Sequence, residues 1–331
     1  MTLFRNATVR WLNIFLAVGA LTFAAVSVAA TADQNFPNKP IRLIVSYPAG
    51  GSVDVAARIL QEPLSKGLGQ SVVIENKGGA GGTIGTAQVA KAAPDGYTLL
   101  LTLSSHTINP AIYAQLPFDT EKDLDPVSMV ASAPQVLVAH PSFKPSTIPE
   151  LIAYAKAADT PVIYGSAGVG SPSHIAGELF KKLGQVQLTH APYRGGGPAT
   201  VDVLGGQIPL LWVSLPAVTQ YIRNGKLKAL AVSTKERTPV LPDVPSVAET
   251  LDGFNVDSWY AMFAPAGTPR PIIDKIQKVL AQAAGDKAIQ DAFLAQGAVV
   301  VGGTPEALDA VVKKEIPAWK TLAKEANIKI N

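Results

Sequence analysis

Four glycine-rich segments each come directly before a predicted helix. They lie at Gly50-Gly51, Gly81-Gly82, 168–171 and 195–197. The N-terminal end of a helix presents unpaired N–H groups and about half a positive charge, and glycine lets a ligand approach the backbone closely. In open α/β sheets such loops follow the carboxyl ends of strands, where ligands bind. Four such loops, two in each half of the chain, predict an anion site.

The sequence disfavours a nucleotide phosphate as that anion. No Gly-x-x-x-x-Gly-Lys-Ser/Thr motif occurs, and the Gly-x-Gly-x-x-Gly pattern that begins at Gly168 has Ser173 in place of its third glycine. A carboxylate suits the same arrangement of backbone N–H groups. The sequence therefore predicts a carboxylate site.

Polar side chains at the predicted strand ends complete this site. Tyrosine and serine hydroxyls, together with backbone N–H groups, recognise carboxylate or hydroxyl oxygens. Ser52 is predicted to cap the first helix, and Asp54 in its first turn is assigned to stability rather than to the ligand. The candidate ligand-binding residues are Tyr47, Gly50, Gly51, Ser52, Ser104, Ser105, His106, Ser166, Gly168, Gly170, Ser171, His174 and Tyr193.

Several residues stay as alternatives for the far end of the ligand. His106 and Arg194 are candidates to meet a second negative group, which favours a dicarboxylate. Trp212 and Tyr193 are candidates to cover a ring, which would suit an aromatic acid, although Trp212 lies in an apolar run and is predicted to be core. A dicarboxylate is the first interpretation and an aromatic acid the second.

Signatures of catalysis, metals and cofactors are missing from the sequence. No serine stands in Gly-x-Ser-x-Gly, no His-Glu-x-x-His occurs, and the chain has no cysteine. We therefore predict no catalytic residue, no metal and no cofactor. A periplasmic hydrolase or isomerase that uses His106 or His174 as a base remains a less favoured alternative.

The N-terminal segment has the three parts of a secretory signal peptide. Arg5 and Arg10 give it a positive start, an uncharged apolar run covers 11–30, and Ala30-Thr31-Ala32 gives a small-residue end. The run is about long enough to span a membrane, but no basic residues follow it as a stop-transfer flank. We predict a signal peptide over residues 1–32, cleavage after Ala32 and a periplasmic location.

Length and charge limit the remaining function classes. The 331 residues carry a formal charge of +3, of which Arg5 and Arg10 contribute two, so the mature chain would carry 3 − 2 = +1. A nearly neutral chain without a basic block lacks the electrostatic footprint of a nucleic-acid-binding protein. Strand and helix patterns alternate along the mature chain, which predicts parallel βαβ units and an α/β fold. Pro317 is expected to kink or break the last of three C-terminal helices.

A series of short motifs resembles the substrate-binding proteins of tripartite tricarboxylate transporters, the Bug family. The resemblance runs over the whole mature chain, and the order and spacing of the motifs make it specific. One departure is Ala49, where the family often has an aromatic residue, which predicts a roomier pocket. The motifs are YPAGGSVD at 47–54 with Arg58, VIENKGGAGG at 73–82, PDGYTL at 94–99, NP at 109–110, YGSAGVGS at 164–171, HAPYRG at 190–195, LGGQ at 204–207 and FAPAGTP at 263–269.

The resemblance implies a type II periplasmic binding protein with two lobes, a hinge and a central cleft. Residues 33–138 and 256–331 would form lobe 1, and residues 139–255 would form lobe 2. The loops 47–52 and 166–171 would hold one carboxylate from opposite lobes, with Gly51 and Gly170 both supplying N–H groups. The protein would act as a monomer and deliver a small organic acid to one large and one small membrane subunit. A sensor that presents its ligand to a signalling receptor remains the alternative.

Overall fold

The structure, a computed structural model, describes residues 35–325, so the predicted signal peptide lies outside the described residues. Residues from Lys39 onward form one compact unit that contains every element discussed below. Within the described range, no helix is long and apolar enough to cross a membrane.

Among residues 35–325, ten strands and ten α-helices alternate for most of the length, which confirms the predicted α/β class. The strands are β1 (Ile41–Val45), β2 (Val72–Asn76), β3 (Thr98–Leu103), β4 (Leu124–Ala139), β5 (Val162–Ser166), β6 (Leu188–Pro192), β7 (Leu210–Ser214), β8 (Lys228–Val232), β9 (Asp257–Pro265) and β10 (Val299–Val300). The helices are α1 (Ser52–Leu68), α2 (Thr83–Ala90), α3 (Ser105–Ile112), α4 (Ile148–Ala157), α5 (Pro172–Gly184), α6 (Gly196–Leu204), α7 (Thr219–Arg223), α8 (Arg270–Gly285), α9 (Lys287–Ala295) and α10 (Pro305–Glu325).

The strands form a single sheet with two halves that share β4. The strand order is β2-β1-β3-β9-β4-β7-β5-β6, and both β8 and β10 pair with β4. β1 pairs in parallel with β2 and β3, and β5 pairs in parallel with β6 and β7, as the βαβ pattern predicts. Along β4, residues up to Pro134 pair with β9, whereas residues from Gln135 onward pair with β7 and β8.

The last helix packs on the cores of both sheet halves. Leu308 and Ile316 of α10 join the core of the first half, around Trp259 of β9. Trp319, one turn later, packs against the core of the second half. α10 runs through Pro317 as one continuous helix, so of the two outcomes expected at this proline, a kink or a break, the break does not occur. Packing on both sides of Pro317 accounts for its tolerance there.

Candidate functional site

A small enclosed cavity lies between the two halves of the sheet. Its volume is about 10 Å³, which is room for about one water molecule. The first half, the second half and the crossing strand β4 all contribute to its wall, and none of the lining residues described carries a charge. The lining residues are Tyr47, Gly51, Ser52, Leu103, Gln135, Ala167, Ser171, Pro172, Ser173, Gly196, Val213 and Ser214.

Three helices begin at this cavity. α1 starts at Ser52 after its N-cap Gly51, α5 starts at Pro172 after its N-cap Ser171, and α6 starts at Gly196. Each contributes about half a positive charge and N–H groups of its first turn, although in α5 Pro172 has no N–H group and that of His174 is bonded to Ser171 Oγ. The cavity therefore favours a negatively charged group without offering a charged side chain.

The glycine loops of the two halves come very close to each other around the cavity. A Cβ atom at Gly81 would lie 2.7 Å from the carbonyl oxygen of Val169, and one at Gly197 would lie 2.8 Å from that of Ala49. Side chains at these positions would hold the halves apart. Ala49 itself is exposed and does not line the cavity, and the roomier pocket that we expected is not seen in this closed form.

Four of the thirteen predicted residues line the cavity: Tyr47, Gly51, Ser52 and Ser171. Ser171 caps α5 by accepting a hydrogen bond from the backbone N–H of His174. The predicted capping role of Ser52 is wrong, because Gly51 is the N-cap of α1 and no side chain caps this helix. Ser52 is instead the first helical residue, with its side chain buried at the cavity.

Tyr47 and Ser105 form a buried pair beside the cavity. The Tyr47 hydroxyl donates a hydrogen bond of 2.9 Å to Ser105 Oγ, and Tyr47 is only 2 % exposed. Burial raises the pKa of Tyr47 well above its ordinary value, although the hydrogen bond to Ser105 opposes this shift. Tyr47 thus stays neutral and is held in place by Ser105, which itself does not line the cavity.

Asp54 organises the first glycine loop from behind. Its carboxylate accepts hydrogen bonds from the backbone N–H of Gly50 at 3.0 Å, from Arg58 at 2.9 Å and from Asn76 Nδ2 at 3.1 Å. Asn76 Nδ2 also donates to the carbonyl oxygen of Tyr47. Burial favours a higher pKa for Asp54, but the three hydrogen bonds outweigh it and the pKa is lowered. The N–H group of Gly50 is therefore bonded to Asp54 and is not available to a ligand in the cavity.

Replacing Asp54 with asparagine is expected to lower stability and to leave ligand affinity nearly unchanged. The amide would turn its NH2 group either toward Gly50 and Arg58 or toward Asn76, and all three are donors, so roughly 1.5–3 kcal/mol of unfolding free energy should be lost near neutral pH. The folded pKa is lowered, so this contribution is present above the ordinary aspartate pKa and fades as pH falls below it.

Urea denaturation at pH 7.5 measures this effect. The matched control is Asp291→Asn, which removes an exposed carboxylate paired with Lys287 on α9 and should cost less than about 0.5 kcal/mol. Equal losses in the two variants would contradict the role assigned to Asp54.

The second glycine loop is fixed by serine side chains. Ser166 Oγ accepts from the Gly168 N–H at 3.1 Å and lies 2.6 Å from His190 Nε2. Ser171 Oγ donates to the Gly168 carbonyl at 2.6 Å and contacts Ser173 Oγ at 2.8 Å. Ser166 and Gly168 therefore shape the loop that carries Ser171 without lining the cavity.

Gly170 faces the first half of the chain rather than the cavity. Its N–H donates to His174 Nδ1 at 3.3 Å, and its φ of +82° is one that glycine adopts readily. A Cβ atom there would lie 2.5 Å from Ile112 Cδ1 and 2.8 Å from Asn109 Oδ1. A side chain at Gly170 would thus disturb folding as well as closure, and more severely than one at Gly51, whose Cβ atom would come no closer than 3.3 Å to its nearest neighbour.

His174 and His190 stack on each other beneath the second loop. Their ring centroids are 4.3 Å apart with the planes 19° from parallel, and Tyr164 stacks on the other side of His190. Burial lowers the pKa of His174 to about 4 and that of His190 to about 3. Both rings are therefore neutral at neutral pH, and neither lines the cavity.

The other predicted residues lie away from the cavity. His106 packs on Phe263 with ring centroids 4.4 Å apart, and burial lowers its pKa to about 3. Its ring nitrogens and Ser104 Oγ have no hydrogen-bond partner of good geometry among the described residues. Tyr193 donates to Asp202 Oδ2 at 2.7 Å, and burial raises its pKa to about 12.

The residues considered for the far end of the ligand do not line this cavity. Neither Arg194 nor Trp212 lines the cavity, and Trp212 is fully buried against Phe180 and Phe254, as its core prediction stated.

Two polar residues that line the cavity, Gln135 and Ser214, are not among the thirteen predicted residues. Gln135 lies where β4 crosses between the halves, and its Nε2 donates to Ser214 Oγ at 2.8 Å. The fully buried hydroxyl of Tyr260 lies behind Ser52 and Ser214, and Tyr260 itself is not a lining residue of the cavity. Ser214 ends strand β7, the same signal that pointed to Ser104, but the position of Gln135 inside a strand gave no such signal.

A family model described as "Tripartite tricarboxylate transporter family receptor" matches residues 56–328. Protein BugT of Bordetella pertussis is 39% identical over 319 residues, which cover 95% of this chain and 98% of that protein. The chain belongs to this family. The resemblance drawn from the loop motifs is therefore confirmed.

Solved structures of family members share the fold. The periplasmic binding protein BugD superposes with a TM-score of 0.86 at 39% identity, covering 89% of this chain and 99% of that one. An R. palustris protein with adipate gives a TM-score of 0.86 at 33% identity over 89% and 99% of the two chains. MatC from Rhodopseudomonas palustris with bound malate gives 0.82 at 33% identity over 86% and 99%. The predicted binding-protein fold is confirmed.

Proposed function

We propose that this chain is a periplasmic solute-binding protein that captures a small organic carboxylate in the cavity between its two sheet halves. The observation that carries this proposal is the convergence of three helix N-termini, one from the first half and two from the second, on a cavity without charged side chains. Such N-termini stabilise anions through N–H groups and partial positive charge. Nothing chemical need happen to the ligand.

A dicarboxylate is the preferred ligand class. Two related structures, at 33% identity, hold adipate and malate, both dicarboxylates. The three helix starts supply in sum more than one unit of positive charge, which suits a ligand with more than one negative charge. An aromatic acid is the second choice, since the ring of Tyr47 also borders the cavity.

Ligand entry requires the two halves to separate. A cavity of about 10 Å³ has no room for a four-carbon acid. The hinge would lie where β4 changes partners between Pro134 and Gln135 and where the chain returns into β9 at Asp257. We assign residues 33–138 and 256–331 to one lobe and 139–255 to the other. A ligand that binds the closed form more tightly would shift the population toward it.

The closed, liganded protein would deliver its acid to the large and small membrane subunits of a tripartite tricarboxylate-type transporter. The family assignment supports this step.

A thermal-shift screen of organic acids tests the proposed function. At one hundred times its Kd, a ligand adds about 2.7 kcal/mol of stability, which raises the Tm of a chain of this size by about 5–10 °C. We expect at least one acid, from a panel of dicarboxylates, tricarboxylates and aromatic acids, to produce such a shift. A panel that moves the Tm no more than chloride does would overturn the proposal.

We also expect the exported protein to begin at Asp33. Removal of residues 1–32 leaves 331 − 32 = 299 residues. Intact-mass spectrometry of a periplasmic extract should give the mass of that chain, and recovery of the full-length protein in the membrane fraction would contradict the predicted cleavage.

A further inference from the structure

Helix α10 lies across both halves of the sheet and changes its packing partner at Pro317. Before the proline, Leu308 and Ile316 belong to the core of the first half. After the proline, Trp319 and Ala323 pack on the core of the second half. The chain also runs between the halves along β4 and where it enters β9. α10 is therefore a third connection between them.

The turn of α10 before Pro317 is attached to the first half. The Glu315 carboxylate accepts hydrogen bonds from Trp259 Nε1 of β9, which lies 3.2 Å from each of its oxygens. It also accepts one of 2.7 Å from Thr107 Oγ1 of α3. Trp259 is itself part of the core of the first half. These hydrogen bonds fix the helix to the first half as far as Glu315.

The turn of α10 after Pro317 is attached to the second half by apolar contacts. Trp319 packs against that core, and Ala323, one turn later, is 6 % exposed and belongs to it. A tryptophan side chain buries a large apolar area, so its removal from such a contact is unfavourable. Separation of the halves would either expose these side chains to water or bend the helix between Glu315 and Trp319.

Pro317 makes this position the easiest one in α10 to bend. A proline has no N–H group, so the carbonyl oxygen of Lys313, four residues earlier, lacks its helical hydrogen bond. Thr321 Oγ1 donates a hydrogen bond of 3.1 Å to the Pro317 carbonyl oxygen, and bonds of this kind often bend helices. Sharp kinks in helices are found mostly at prolines. A bend at Pro317 would leave the attachments on both sides of it intact.

We propose that α10 is a strap across the hinge and that Pro317 is its bending point, so that the stiffness of this helix sets how readily the two halves separate. A stiffer strap would favour the closed form, and a strap detached from the second half would favour the open form. Because it requires the halves to separate, the proposal rests on that part of the proposed function, but it requires no ligand.

Double electron–electron resonance on the ligand-free mature protein measures the separation of the halves. The chain has no cysteine, so Ile84→Cys and Val201→Cys introduce two unique labelling sites. The two native side chains are 54 % and 67 % exposed and lie in α2 and α6, whose apolar residues pack on the first and second half respectively. The distance between the spin labels then divides into a closed component and a longer, open component.

Pro317→Ala should lower the ratio of open to closed protein by about threefold or more. Alanine restores the missing N–H group and is the best helix former, so the straight helix of the closed form becomes stiffer. Pro317 is exposed, so the change leaves the core packing intact.

The matched control is Pro63→Ala, the same change in the interior of α1. The neighbouring Gln61 and Ser65 both bond to Val72 of β2, so this part of α1 lies on the first half. The ratio should stay within about twofold of the parent value, because a stiffer α1 does not restrain the hinge.

Trp319→Ala should raise the ratio of open to closed protein by about threefold or more, because it removes the larger contact of the strap with the second half. In the double variant, Pro317→Ala should have no further effect, since a stiff helix that is not attached to the second half cannot restrain it. Effects on general stability alone would add up across the two sites. If Trp319→Ala does not fold, Trp319→Leu keeps part of the contact and should act in the same direction.

Equal ratios in Pro317→Ala and Pro63→Ala would overturn the proposal, and so would an effect of Pro317→Ala that is the same with and without Trp319. A parent protein that shows only one distance component would overturn it as well, because the strap would then not control the separation. Failure of the proposed function would look different: no acid would bind, while the label distances still responded to the strap variants as expected.

Discussion

Replacing Gly51 with valine is expected to weaken carboxylate binding by at least tenfold. Gly51 is the N-cap of α1, lines the cavity and lies beside the start of α6. Its own N–H group donates to the Pro48 carbonyl oxygen at 3.3 Å, so the expected N–H contact of Gly51 with the ligand is not available in this form. A Cβ atom at Gly51 would lie 3.3 Å from that oxygen and 3.9 Å from the Gly197 N. Valine methyl groups would occupy the space between two helix N-termini and keep the carboxylate from the N–H groups. A lost hydrogen bond to a charged group costs roughly 1.5–3 kcal/mol, which is a factor of about 10 to 150 in Kd.

This variant should still fold, which separates binding from stability. The backbone of Gly51 is extended, with φ −81° and ψ 168°, and any residue adopts these angles. The matched control is Gly285→Val at the end of α8, where a Cβ atom would meet nothing within 4 Å. Calorimetric titration of both variants decides the matter. Unchanged affinity in a folded Gly51→Val protein would show that the site lies elsewhere.

Acidification from pH 7.5 to pH 5 is expected to remove about 4 kcal/mol of stability. His106 and His174 are 2 % and 6 % exposed, and burial lowers their pKa values to about 3 and about 4. The unfolded chain takes up protons near pH 6.5, whereas the folded protein does not. Their stabilising effect is thus complete above the unfolded pKa, and each loses about 1.4 kcal/mol per pH unit as pH falls toward the folded value.

Urea denaturation at the two pH values measures this loss. His190 acts in the same direction but is less buried. Carboxylates with lowered pKa values, such as Asp54, titrate below this window. His106→Met removes a ring without hydrogen-bond partners of good geometry and should reduce the pH dependence by about one proton. Equal stability at pH 7.5 and pH 5 in the parent protein would contradict the buried, neutral state of these rings.

Local sequence signals predicted most of the fold. Each glycine segment does precede a helix, and strands such as β1 and β5 contain the β-branched residues that predict them. The parts of the fold that the sequence did not predict depend on pairing between strands that are far apart in sequence. In β4, only the apolar run 136–139 predicts a strand from the sequence. Pro126, Ser128 and Pro134 interrupt the pattern before it, yet pairing with β9 keeps 124–134 extended.

Tertiary contacts also explain the unpredicted helix α3. It contains Asn109 and Pro110, which disfavour a helix in isolation. Its Ile108 and Ile112 pack into the core of the second half, and Thr107 donates to Glu315 of α10. These contacts come from residues far away in sequence, so no local pattern announces the helix.

The candidate site also has a part that local sequence signals predicted and a part that depends on tertiary pairing. Tyr47, Gly51, Ser52 and Ser171 lie in loops whose glycine and serine residues mark a strand end and a helix start, and sequence alone pointed to them. The opposite wall includes Gln135 of β4 and Ser214 of β7, two strands that pair only in the folded chain. Burial also decides that His106 and His174 are inaccessible, which their place in the sequence does not reveal.

A crystal structure of the mature protein with its tightest-binding acid tests the central claim most directly. We predict a carboxylate in the cavity between the two halves, with its oxygens roughly 2.7–3.2 Å from backbone nitrogens at the start of α1 and at the start of α5 or α6. A carboxylate paired with an arginine or lysine side chain, or bound outside this cavity, would contradict the account.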